Sequence, residues 1–191
     1  MSYGARVLYA FDGGARGDWA VTAMTTLTGE SLPAVAALSV RQGSWMEAGG
    51  AEAPEPVWSL CGVASHLRYT LRAEFSELSA RGSPLGRGEA RRAALIPISK
   101  SEAWWALAQD ERRRIYEEQS RHTSIGMEYL PQIARRLHHG RDLGEPFDFL
   151  TWFEFAPEHE SLFDDLLVRL RASEEWTYVT REIDIRLSRV D

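Results

Sequence analysis

From residue 93 to residue 187 the hydrophobic period switches repeatedly between two and 3.6 residues, and that order restricts the fold more than anything else in the chain. Ala93-Ala94-Leu95-Ile96-Pro97-Ile98 reads as a short strand, which its proline should confine to an edge or a strand end. Ser101 then opens a helix through Trp104, Trp105, Leu107, Ile115 and Tyr116. Thr123-Ser124-Ile125-Gly126 interrupts it, and a second helix is expected from about Met127 to Leu137. Phe147, Phe149, Thr151, Phe153 and Phe155 fall on one face of a strand. Leu162, Phe163, Leu166, Leu167 and Leu170 mark an amphipathic helix, and Thr177, Val179, Ile183, Ile185 and Leu187 alternate along a last strand. Strand, helical pair, strand, helix and strand in this order predict an α+β fold, with helices packed on one face of a mainly antiparallel sheet.

Residues 1–92 are less clearly patterned. Residues 6–12 read as a strand ending in a Gly13-Gly14 turn, and 58–70 as a strand in which Cys61, Val63, Leu67 and Tyr69 alternate with smaller or more polar residues. Trp19 to Leu27 and Val35 to Val40 fit strand or helix equally well. Glu74 to Leu78 suggests a short helix, and residues 47–57 and 80–90 are loop by composition. The division expected is a reduced half over 1–92 and a fuller half over 93–191, forming one structural unit.

With 22 basic against 28 acidic residues, the net charge of −6 argues against nucleic acid or an anionic membrane surface as partner. No apolar run approaches the ~18 residues of a transmembrane helix, and the first residues lack the basic patch and apolar core of an export signal. Cys61 is the only cysteine, which excludes internal disulfides, a CxxCH haem attachment and any Cys-rich zinc or iron–sulfur site. A cytoplasmic domain is expected. Among the basic residues Lys100 is the only lysine against 21 arginines, so a compact ammonium at that position stands out from the background.

No P-loop, GxGxxG, HExxH or GxSxG is present. Of the five histidines, His138 and His139 read as a helix C-terminus, His159 as surface and His66 as a sheet histidine. His122 differs, because it sits at a break between two helices, where a side chain can project into a cavity.

Lys100-Ser101-Glu102-Ala103-Trp104-Trp105, Glu111-Arg112-Arg113, His122-Thr123, Tyr129-Leu130, Arg135-Arg136-Leu137-His138-His139 and Asp148 to Glu154 together resemble the chlorite dismutase family. The resemblance covers about 93–187 and implies a dimeric α/β barrel of two ferredoxin-like halves carrying haem b. The looser match over 1–92 is similar to the short branch of the family, whose first half is reduced and whose subunits pair as homodimers. The activity implied is conversion of chlorite to chloride and dioxygen, through a ferryl group and hypochlorite. The resemblance makes His122 the proximal haem iron ligand and Arg135, thirteen residues on, the distal arginine. A straight helix of that length would span ~20 Å, so the chain must bend between them, with Thr123 to Gly126 the expected place. By the same resemblance Glu175 accepts a hydrogen bond from the proximal imidazole and Lys100 pairs with Glu175, an arrangement that orients the ligand and raises its basicity. Leu137, Thr151 and Phe153 would wall the pocket, and Trp104 would lie near the haem edge.

The chain departs from relatives of the same fold in identifiable ways. Ile96 stands where bacterial coproheme decarboxylases carry a catalytic tyrosine, and Arg135 where they carry glutamine; both favour chlorite chemistry. Ala94-Leu95 replaces an Asn-Tyr pair of some chlorite dismutases, and the stretch from Trp105 to His122 is about three residues longer than in other branches. The alternatives are a haem carrier, sensor, weak peroxidase or coproheme decarboxylase of this fold, or a ferredoxin-like dimer without a cofactor.

Overall fold

The computed structural model describes residues 7–43, 55–64 and 69–190. Eight strands close into a barrel: β1 (Val7–Gly14), β2 (Trp19–Thr28), β3 (Ala37–Gln42), β4 (Trp58–Ala64), β5 (Arg92–Lys100), β6 (Ala134–His139), β7 (Phe149–Phe155) and β8 (Val179–Arg189). Around the ring the order is β1-β3-β2-β8-β5-β7-β6-β4, and every pairing, including the closing one between β4 and β1, is antiparallel. Closure removes the exposed strand edges that an open sheet would leave.

The ring divides into two runs of like connectivity. β8-β5-β7-β6 has the fourth-first-third-second order of a βαββαβ ferredoxin-like unit, and β4-β1-β3-β2 repeats it. In the later run, crossover segments containing helices join β5 to β6 and β7 to β8. In the earlier one, residues 15–18 alone carry the chain from β1 to β2. They cross tightly over β3, where a Cβ on Gly17 would overlap the backbone of Leu38. Only glycine lets two backbones approach this closely.

Alternation along the strands sorts the apolar residues into two cores. Phe11, Trp19, Leu38, Trp58, Leu60, Leu95, Leu150, Trp152, Ile183, Ile185 and Leu187 fill the barrel. Ala94, Ile96, Ile98, Phe149, Phe153 and Phe155 point outward, beneath the helices α4 (His122–Glu128) and α5 (Glu160–Arg171). Phe163, Leu166, Leu167 and Leu170 of α5 are buried against that outer face, at the 3.6-residue spacing that the sequence displays.

Several expectations are corrected. Pro97 lies inside β5, between β7 and β8, and not at an edge. The β8 ladder pairs Leu95 and Ile98 but not Ile96 or Pro97, so the missing proline N–H falls at a gap in the pairing. Phe147 precedes β7 and joins the barrel interior, apart from Phe149, Phe153 and Phe155. The strand from Trp58 is described to Ala64, Leu67 lies outside the described residues, Tyr69 and Thr70 are not in a strand, and Thr177 precedes β8 in a 3-10 turn (Glu174–Tyr178). Gly13 and Gly14 belong to β1 and form no turn. The undecided segments near 19–28 and 37–42 are both strands, and the short helix near Glu74 is α1 (Arg72–Arg81).

The largest correction concerns residues 101–139. In place of two long helices there are α2 (Glu102–Ala106), α3 (Gln109–Arg113), a π-helical stretch (Arg114–Gln119), α4 and then β6. Thr123 to Gly126 is helical; the chain bends at Arg121, whose backbone is left-handed (φ 53°), and again between α4 and β6. Arg135, Leu137, His138 and His139 therefore sit on a strand. Ala134 to His139 is a mostly apolar and basic segment, and pairing with β7 along six residues overrides its helical appearance.

Candidate active site

Strand register builds the floor of the site. Across β5, β7 and β6, Ile98 faces Phe149 and Phe149 faces His139; Ile96 faces Thr151 and Thr151 faces Leu137; Ala94 faces Phe153 and Phe153 faces Arg135. Side chains two apart on a strand share a face. These three rows thus bring Ile96, Leu137, Thr151, Phe153 and Arg135 onto one outward-facing patch. Ile96 and Phe153 are buried, whereas Leu137, Thr151 and Arg135 are half-buried.

His122 occupies the first position of α4, above this patch. Its Nδ1 lies 2.6 Å from Glu175 Oε2. An ionised carboxylate only accepts, so Nδ1 carries the proton toward Glu175 and Nε2 is the ring nitrogen outside that bond. The other carboxylate oxygen of Glu175 accepts from Lys100 Nζ. Lys100 closes the outward face of β5, and its ammonium lies 3.5 Å above the Trp104 ring. Both members of the Lys100–Glu175 pair are almost completely enclosed, with side chains 2% and 5% exposed. Burial alone would push the Glu175 carboxyl up, but His122 and Lys100 overcome it and hold the group down at about 2. The same burial pulls the Lys100 amine below its ordinary value, against the opposing pull of Glu175. A lone buried ammonium or carboxylate would be costly, so the two residues require one another.

Arg135 differs from the arginines that are bound to carboxylates. Arg113, Arg141, Arg169, Arg171 and Arg186 are all paired with carboxylates. Among the described residues, no hydrogen bond or ion pair engages Arg135, and burial pulls its pKa down while Tyr116 and Glu117 oppose the shift. Its guanidinium lies against Gly126, where any Cβ would overlap it. Gly126 follows His122 by four residues and shares its helix face, so the arginine and the imidazole border the same space.

Trp104 is fully buried beside Lys100, with Tyr178 and Tyr69 at 5.4 and 6.1 Å between ring centroids. Trp105 donates instead to Asp148 Oδ2 at 3.1 Å, under the Arg141 guanidinium. The other histidines lie elsewhere. His138 points into the barrel with Nδ1 3.0 Å from the Leu150 carbonyl, and burial pushes it down to about 4. His139 packs edge-on to Phe149, and His159 is half-buried in a 3-10 turn. His66 lies outside the described residues.

Four supports of the site are absent from the sequence reading. Tyr116 stacks on His122 at 4.5 Å and Trp176 flanks it at 6.4 Å. Ser120 Oγ accepts from the Glu175 backbone N–H at 2.8 Å, and Glu117 accepts from the first turn of α4. Trp176 adjoins Glu175, which was a usable signal. The other three depend on a π-helical turn that no hydrophobic period reports.

Among the described residues, no group of three or more His, Cys, Asp or Glu side chains is placed to hold a metal ion. One imidazole with a committed Nδ1, aromatic and aliphatic walls, and a glycine cradle fit instead a planar group that brings most of its own metal ligands. No helix among the described residues is long and apolar enough to cross a membrane.

A family model described as chlorite dismutase matches residues 29–190. Over 125 residues the chain is 28% identical to a chlorite dismutase of Ideonella dechloratans, a match covering 64% of this chain and 42% of that protein, so the matched part spans less than half of the relative. The structure aligns with a dimeric chlorite dismutase of Nitrobacter winogradskyi at a TM-score of 0.87 and 53% identity, covering 95% of this chain and 99% of the other. It also aligns with a mutant chlorite dismutase of Candidatus Nitrospira defluvii at a TM-score of 0.68; at 20% identity, over 96% and 91% of the two chains, that likeness speaks for the fold alone.

Proposed function

The chain belongs to the chlorite dismutase family, and from that premise we propose that it converts chlorite to chloride and dioxygen on haem b held by His122. Residues 93–191 form the haem-binding half and 1–92 the reduced half. The observation that carries the reading is the uncommitted Arg135 guanidinium bordering the same space as the His122 imidazole.

Haem b, when bound, would supply iron able to carry out the oxygen-atom transfer that this conversion needs. His122 Nε2 is the atom that would hold the iron. Glu175 fixes the ring's orientation and makes it a stronger donor by accepting the Nδ1 proton, and Lys100 keeps that carboxylate ionised. Ile96, Leu137, Thr151 and Phe153 exclude water and leave a small, mostly apolar pocket. Trp104 anchors the Lys100 end of the site from beneath.

Arg135 would draw the substrate anion in and hold the hypochlorite leaving group within the pocket. A guanidinium suits this work because it keeps its proton, and in a low-dielectric pocket its attraction is far stronger than in water. No electron donor is consumed, since both oxygen atoms of the product come from chlorite. The identity shared with a dimeric relative supports a homodimer.

The test is reconstitution with haem b, addition of chlorite and measurement with an oxygen electrode. Oxygen should be released by the wild-type protein and strongly reduced in Arg135→Ala, with the haem spectrum retained in both. A normal haem spectrum without oxygen release in the wild type would overturn the reading.

A further inference from the structure

Glu117 belongs to no step derived above, yet it is a carboxylate only 8% exposed, buried in the structural surroundings of His122. α4 begins without an N-cap of its own: Arg121 precedes it in the left-handed region and offers no side-chain acceptor. The N–H groups of the first turn would then be orphaned, and Thr123, at 1% exposure, has no access to water. Glu117 reaches across from the π-helical stretch and accepts from the Thr123 N–H at 2.6 Å, the Ser124 N–H at 3.2 Å and the Ser124 hydroxyl. It thus does from a distance what an N-cap Asp or Ser does locally.

The residue at the start of α4 is His122, so whatever fixes that turn fixes the imidazole. We propose that Glu117 is a positioning residue, a remote cap that sets the direction in which α4 leaves Arg121 and therefore where His122 Nε2 points. The π-helical stretch is the device that makes this reach available. Its widened turn, closed by the Ser120 N–H on the Ile115 carbonyl at 3.0 Å, brings three neighbouring side chains to bear on the site. Tyr116 stacks on the imidazole, Glu117 caps α4, and Ser120 holds the backbone of Glu175. The ligand and its carboxylate partner are braced from one short segment.

The proposal deepens the haem reading and rests on it, but its primary readout is made on the unliganded full chain. In 15N-histidine NMR, the His122 Nδ1–H bonded to Glu175 gives its own signal. Reach, not charge, should decide the outcome. Glu117→Gln keeps the length and an acceptor oxygen, and should leave that signal near its wild-type position. Glu117→Asp keeps the charge and loses a methylene, and should shift or broaden it; Glu117→Ala should do so more strongly. Glu111→Ala removes the exposed side-chain acceptor at the start of α3, which takes the Ala108 N–H at 2.7 Å, and should leave the His122 signal unchanged. Haem titration should follow the same order, with affinity about tenfold weaker in Glu117→Ala, the loss of one cap.

An unchanged His122 signal in Glu117→Asp and Glu117→Ala overturns the proposal, as does a signal preserved in Asp but lost in Gln. Should the Ala variant fail to fold, the Asp and Gln pair carries the test. If the wild type binds no haem, the functional reading fails while the NMR comparison still decides the role of Glu117.

Discussion

The two runs of the barrel share one strand order and differ in what lies on their outer faces. On β5, β7 and β6, the outward rows are apolar, roofed by α4 and α5, and interrupted by Lys100 and Arg135. On β1, β3 and β4, the corresponding face carries an Asp12–Arg41 ion pair, and Ser59 donates to the same aspartate at 2.6 Å. A crossover helix was replaced there by residues 15–18. The strands are therefore not what makes a site. A buried, charged face arises where a connection is long enough to become a helix and cover the sheet. Where the connection is four residues long, the face is polar among the described residues.

The most damaging test of that contrast is His122→Ala. Loss of the His122 imidazole should abolish haem binding, seen as absence of a Soret band, and lower oxygen release at least 100-fold. The barrel should persist, because His122 belongs to neither apolar core. Far-UV circular dichroism of the variant should match the wild type. A variant that binds haem normally would move the site away from α4.

Next in size is the buried triad. Glu175→Gln leaves Lys100 enclosed without its counter-ion, a change that costs about 3–5 kcal/mol in urea denaturation. The pH dependence carries the sign. In the fold the Glu175 carboxyl lies at about 2 against an ordinary 4.5, so the unfolded chain takes up the proton first on acidification. The stability Glu175 contributes is complete above about pH 4.5 and disappears as pH falls toward 2. The Gln variant should lack that acid-side decline, and retention of the full slope would assign it to other carboxylates.

Two glycines separate stability from function. At Gly17 an added Cβ meets the Leu38 backbone, which cannot step aside. Gly17→Ala should cost about 1–3 kcal/mol and leave chlorite turnover of the folded protein unchanged. At Gly126 the added Cβ meets the far end of the Arg135 side chain, which can move. Gly126→Ala should cost little stability and instead lower turnover by displacing the guanidinium. Equal effects of the two substitutions on both measurements would erase the distinction.

How much of this was legible in the chain follows the same division. The α5 helix, β5, β7 and β8 announce themselves because each buries one regular stripe or face. Lys100 stood out as a lone lysine, and His122, Arg135 and Glu175 came from a resemblance that covers the helical half. What the sequence concealed are places where pairing or packing overrides local preference. Ala134 to His139 looks helical and becomes a strand through β7. Pro97 sits in a central strand because the ladder has a gap there. Tyr116, Glu117 and Ser120 converge on the site through a π-helical turn, whose wider period scrambles the face that a 3.6-residue reading assigns to them. Few residues of β2 and β3 are buried, and they form no regular stripe, which is why Trp19 to Leu27 and Val35 to Val40 read equally as strand or helix.

The smallest expected effect tests the open face directly. Asp12 and Arg41 form an ion pair that is hydrogen-bonded and close, and on geometry alone it resembles the Lys100–Glu175 contact. Solvent distinguishes them: the Arg41 side chain is 44% exposed, whereas Lys100 is 2% exposed. Water screens the first pair and solvates either partner left behind, so Arg41→Ala should cost no more than about 1 kcal/mol, less at high salt. Lys100→Ala removes a charge that nothing else in its enclosure replaces, and should cost several-fold more with no salt dependence. Comparable losses for the two substitutions would mean that the outer face of β1 and β3 is covered by something that excludes water, and the contrast between the halves would have to be redrawn around that cover.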